Sequence, residues 1–184
     1  MEQLNPRARR DAFGRKINRD HSPVLVYGLP WATIICGSLA PLLPVIAPAP
    51  VLPPLALLLL LAWRLLRPGL LPLWAGAPLG LVDDLFSGQP LGSAILLFSL
   101  TLIALDLAEL RFPWRNFWQN WLLAAGFISA YLVLAMLVSG ASISLRQLGL
   151  LVPQLLLSLV SFPIVMAMIA ALDRVRLLRV RRIG

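Results

Sequence analysis

Six apolar runs, with nearly every basic residue at their ends, in the short gaps or in the two tails, constrain this chain more than any other feature. A helix needs about 20 apolar residues to cross the hydrocarbon core of a bilayer, with a range of about 17 to 25. The runs cover Val24–Ile46, Leu55–Leu66, Leu70–Leu85, Gly92–Leu110, Trp118–Val138 and Leu148–Leu172. The second and third are short, so they are either two short spans or a hairpin that enters the membrane and returns. Pro30, Pro41 and Pro44 interrupt the first run, and Pro153 and Pro163 lie in the sixth. Membrane helices tolerate proline where neighbours satisfy the freed carbonyls. The stretch 47–54 (APAPVLPP) ends any helix, because repeated prolines lack the amide donor. Pro68-Gly69 reads as a turn.

Composition agrees. Of 184 residues, 59% are hydrophobic and 13% charged, too little charge to cover a water-soluble domain of this size. The length suits one domain. The net charge of +8 lies in the two tails and the gaps, which argues against a nucleic-acid binder with a basic face on a soluble core. It suits anchoring to anionic lipid headgroups. Three regions follow: a basic tail (1–22), a transmembrane domain (23–173) and a second basic tail (174–184). If the six runs alternate across the membrane, all basic residues but Arg146 fall on one side. Short loops rich in arginine and lysine stay in the cytoplasm, so both termini are expected there. A re-entrant hairpin leaves that parity unchanged. The N-terminal tail is read as retained, since its apolar run starts late and no cleavage site follows it.

Aromatic residues mark expected membrane interfaces: Trp63 beside Arg64 and Arg67, then Trp114, Arg115, Trp118 and Trp121. Arg64 is expected to bury its methylenes and extend its guanidinium to the headgroups. Cys36 and His21 are single, so neither a disulfide nor a Cys-based metal site forms within the chain. Cys36 is expected to be a small buried filler.

Asp83 and Asp84 stand out, because a carboxylate at membrane depth costs about 2.5 to 3.5 kcal/mol and invites a functional reading. The plain alternative is that both are solvated or cap the next turn. Asp106 and Glu109, three apart on one helix face, precede Arg111 and Arg115. They form either a charge cluster at the inner interface, or a pair in which Asp106 meets an arginine of another helix or of a partner. Small residues at 75–77, Gly80, Gly88 and Gly92 allow close backbone approach. No nucleophile with a base, no phosphate loop and no dinucleotide fingerprint is present, and no metal or cofactor is expected.

The stretch 63–68 (WRLLRP), and above all 80–92 (GLVDDLFSGQPLG), resemble segments of the MreD family of rod shape-determining membrane proteins. The second stretch includes Gly80, Asp83, Asp84, Gly88, Pro90, Leu91 and Gly92. Stretches 112–114 (FPW) and 172–176 (LDRVR) are also similar. The resemblance implies a non-enzymatic scaffold of the bacterial cell-wall elongation complex, in the cytoplasmic membrane. It implies a partner like MreC, a single-span protein, and through it links to RodA, its transpeptidase partner and MreB filaments. It also implies an all-α membrane bundle of about six helices, similar to the substrate-binding subunits of energy-coupling-factor transporters. Two other readings compete. One is a vitamin-type solute-binding transporter subunit with Asp83 and Asp84 in its pocket. The other is a lipid-modifying enzyme, which the adjacency of the two aspartates disfavours, since neighbours do not share a helix face.

Overall fold

The computed structural model describes residues 19–21, 23–42, 52–111, 116–140, 144–176 and 179–181. The expected runs become six helices: α1 (Pro23–Ser38), α2 (Leu55–Leu66), α3 (Gly76–Ser87), α4 (Ser93–Arg111), α5 (Phe117–Val138) and α6 (Leu145–Arg176). A short 3-10 turn, Ala40–Leu42, extends α1. The protein is an all-α membrane bundle. Beyond the helices, the described tail residues Arg19–His21 (β1) and Arg179–Arg181 (β2) pair antiparallel, with Arg19 opposite Arg181.

Four segments are long and apolar enough to cross a membrane: Leu25–Leu42, Ser93–Arg111, Phe117–Val138 and Gln147–Arg176. The other two helices have 12 residues each, about 18 Å at 1.5 Å per residue. The third run departs from its expected start at Leu70. Pro72 and a 3-10 turn, Leu73–Ala75, occupy its first part, and α3 begins only at Gly76.

Helix α2 can be short because protein surrounds it. Residues 56–65 are all buried. A helix apolar on every side suits a bundle centre as well as a lipid environment. Here the most leucine-dense helix is the one most withdrawn from lipid, packed against α1, α5 and α6. The lipid-facing role falls to α4, α5 and α6, which leave Leu107, Leu122 and Val160 exposed. Cys36 is likewise exposed on α1, against the expectation of a buried filler.

Two prolines show how the bundle tolerates broken helices. Pro30 has no N–H for the Val26 carbonyl four residues back, and Arg176 of α6 donates to that oxygen at 3.2 Å. Pro163 leaves the Leu159 carbonyl without its helical partner, and Trp121 of α5 donates to it from Nε1 at 3.3 Å. Each orphaned carbonyl is met by a side chain from a different helix, as a membrane interior demands.

Candidate functional site

The aspartate segment folds into a corner between α3 and α4. Gly76, Gly80 and Asp84 recur every four residues and so lie on one face of α3. A Cβ at Gly80 would lie 2.5 Å from the Ala94 carbonyl oxygen and 2.5 Å from the Ile95 nitrogen; one at Gly76 would lie 2.7 Å from the Ser99 Cα. Only hydrogen at these positions lets α3 approach α4 this closely. The approach brings the Asp84 carboxylate onto the first turn of α4. It accepts from the Gly92 N–H at 2.8 Å, the Ala94 N–H at 2.8 Å, the Ile95 N–H at 3.4 Å and the Ser93 hydroxyl at 3.0 Å. The first N–H groups of a helix have no partner inside it. Asp84 therefore caps α4 from the preceding helix, and its charge complements the positive end of the α4 dipole.

Gly88 and Gly92 act differently from the close-packing role expected of them. Nothing lies within 4 Å of a Cβ at either, but their φ values are +69° and +96°. Gly88 ends α3 in the left-handed conformation, and Gly92 turns the chain into α4. Both need the freedom that glycine alone has at low cost. Pro90 and Leu91 form the bend between them, with Leu91 exposed.

The two aspartates part company. Asp84 faces α4, whereas Asp83 faces a cavity of about 480 Å³ at the same end of the bundle. Neither is solvated: Asp83 is 7% exposed and Asp84 3%. Asp83 meets the hydroxyl of the buried Ser38. Tyr131, Gln89, Ser87 and Gln154 add polar groups to the cavity, and Leu52, Leu55, Leu132 and Leu151 supply apolar wall. Gln154 uses its amide nitrogen to hold the Leu52 carbonyl at 2.7 Å, fixing the entry to α2. Tyr131, Gln154 and Ser38 escape a motif-based reading, although polar side chains inside apolar runs were the available signal.

A second polar cluster lies at the opposite end of the bundle. Arg64 of α2 bonds to Asp106 at 2.5 Å and lies 3.2 Å from Glu109, both on α4. Arg67 donates from Nε and Nη2 to Asp173 of α6, at 2.9 and 2.7 Å, and Arg176 pairs with Asp173 at 2.9 Å. The Arg176 guanidinium stacks over Trp63, 5.7 Å from the ring centre. Trp63 in turn donates to Thr33 of α1 at 2.8 Å. The cluster joins α1, α2, α4 and α6.

This corrects the expectation for Trp63 and Arg64. Trp63 is fully buried and Arg64 is 2% exposed, so neither reaches the headgroups. The reason is local supply: two carboxylates of α4 lie within reach of Arg64, and a paired guanidinium need not extend to the surface. Asp106 does meet an arginine of another helix. Arg67 keeps about half of its side chain exposed while bonding Asp173. Trp118 is exposed at the start of α5, edge-on to Trp121. Trp114 and Arg115 lie outside the described residues. Among the described residues, no group of three or more His, Cys, Asp or Glu could hold a metal ion.

No curated protein and no solved structure matches the chain. The family model for the rod shape-determining protein MreD matches residues 29–175, which take in the α3–α4 corner, the cavity and nearly all of the second polar cluster. The chain therefore belongs to the MreD family, and is a multi-pass inner-membrane protein with a role in determining rod shape.

Proposed function

We propose that this protein is a non-enzymatic scaffold of the cell-wall elongation complex, one that holds the membrane helix of an MreC-like single-span partner. Through that partner it would link RodA, its transpeptidase and MreB filaments. The observation that carries the reading is the α3–α4 corner. The most family-like segment of the chain is spent on holding two helices in fixed contact, not on presenting reactive groups. A rigid bundle with apolar outer faces offers a partner helix a defined surface. In membranes, such association rests on packing and on small residues more than on a hydrophobic driving force.

On this reading both termini lie in the cytoplasm. Arg64, Arg67, Arg111, Arg174 and Arg176 lie at the helix ends that share a side with the paired tails, as the excess of cytoplasmic arginine requires. Anionic lipids are the expected neighbours of this end.

The test is affinity purification of the chain from native membranes, with identification of the proteins that come with it. Recovery of an MreC-like protein is expected. Gly80→Leu, which pushes α3 from α4, should reduce that recovery and round the cells. Unchanged recovery and normal rods in that variant would count against the reading.

A second reading has one observation in its favour, the polar cavity beside Asp83. It is that of a solute-binding subunit of a vitamin-type transporter. Loss of uptake of a solute on deletion of the chain, without rounding of the cells, would support it over the scaffold.

A further inference from the structure

Among the described residues, the cavity is lined by one carboxylate and no basic side chain. Of its lining residues only Asp83 is acidic, and none is Lys, Arg or His. Asp84 is fully occupied by the start of α4. Arg64, Arg67 and Arg176 pair with other acids at the opposite end of the bundle. Asp83 therefore sits 93% buried with a serine hydroxyl and no cation among the described residues. A buried carboxylate is costly without a counter-charge.

The remaining polar surface also suits a donor. Gln154 gives its amide nitrogen to the Leu52 carbonyl, which leaves its amide oxygen to accept. The Ser139 hydroxyl gives its proton to the Met136 carbonyl and keeps its lone pairs. An ammonium has only donors and matches such a surface. The apolar wall and the size of about 480 Å³ favour an organic body over a bare ion, since small-molecule sites run from about 300 to 1,000 Å³. A divalent metal would lack ligands, with one carboxylate in the cavity and no acidic or thiol cluster among the described residues.

We propose that this cavity binds a small organic cation, an ammonium on an apolar body, with Asp83 as its counter-ion. The proposal stands on the cavity and not on the scaffold role. A chain that binds amines but recovers no partner, and one that does the reverse, are both distinguishable outcomes.

The experiment is calorimetric titration of the full chain in uncharged detergent at neutral pH. The probes are tryptamine and 2-phenylethylamine, each against its matched alcohol, tryptophol and 2-phenylethanol. Each pair shares a body and differs in charge. The wild-type chain should bind the amine of at least one pair about tenfold or more tightly than its alcohol, as expected for a charge-assisted contact. Asp83→Asn, checked for a monodisperse elution profile, should abolish that preference. Ala135→Leu narrows the cavity without altering its charge, and should weaken amine and alcohol together. If Asp83→Asn does not fold, the wild-type comparison and Ala135→Leu decide. Equal binding of amine and alcohol in both pairs overturns the proposal. So does a preference that persists in Asp83→Asn, amine binding unaffected by Ala135→Leu, or competition by sodium ions at the concentration of the amine.

Discussion

Asp84 shows how much one carboxylate can organise. It satisfies three backbone N–H groups that would otherwise be unmet at the start of α4, and it shares the Ser93 hydroxyl with Gln89. Leaving a buried donor unmatched costs about 1–3 kcal/mol. Asp84→Ala should therefore lower the thermal midpoint of the purified protein by several degrees, and Asp84→Asn by less, since one amide oxygen can still accept. Equal midpoints for Asp84→Ala and wild type would refute the capping role. The same residue scale separates the glycines. Gly80→Ala meets backbone atoms 2.5 Å away and should destabilise strongly, whereas Gly88→Ala meets empty space and carries only the cost of a left-handed alanine, about 1–2 kcal/mol. Thermal unfolding of the two variants side by side measures the difference.

Among the elements, the proline-bearing helices make the sharpest prediction. The Leu159 carbonyl accepts from Trp121 because Pro163 cannot supply an N–H. Trp121→Phe should destabilise the wild-type bundle by about 1 kcal/mol or more. Pro163→Ala restores an N–H four residues after Leu159, so the same Trp121→Phe change should cost less in that background. A double-mutant cycle reads this coupling directly. Additive effects would mean that the indole bond is incidental. Helix α2 gives the complementary lesson. Its leucines are apolar all round because other helices surround them, so a polar substitution such as Leu60→Gln should destabilise it on any face.

Across the whole molecule, the two polar clusters lie at opposite ends and do different work. The arginine-rich end ties α2, α4 and α6 through ion pairs, and holds α1 by hydrogen bonds from Trp63 and Arg176. Removing one partner of a buried pair costs about 3–5 kcal/mol. Asp106 is 44% exposed at its side chain, so Arg64→Ala should fall toward the lower part of that range, as measured by unfolding in detergent. Exchanging the charges, Arg64→Glu with Asp106→Arg, should recover part of the loss if the pair acts as a unit. Reporter fusions at both termini check the orientation: cytoplasmic reporters should be active at each end, and an active periplasmic reporter at either would overturn the parity.

The apolar runs, their breaks and the one-sided arginines were legible in the sequence, because lipid imposes length and hydropathy on every segment regardless of its neighbours. The boundaries of α2 and the end of α5 could be read off directly, and the glycine–aspartate segment announced itself as unusual. What the residues could not say was which neighbour each would meet. Trp63 and Arg64 carry the composition of interface anchors, yet Thr33, Asp106 and Glu109 draw them into the interior. Asp83 and Asp84 are adjacent and chemically identical. Only the close approach of α3 to α4 gives one of them a helix end to cap and leaves the other facing a cavity, because a turn of about 100° per residue sends consecutive side chains to different neighbours.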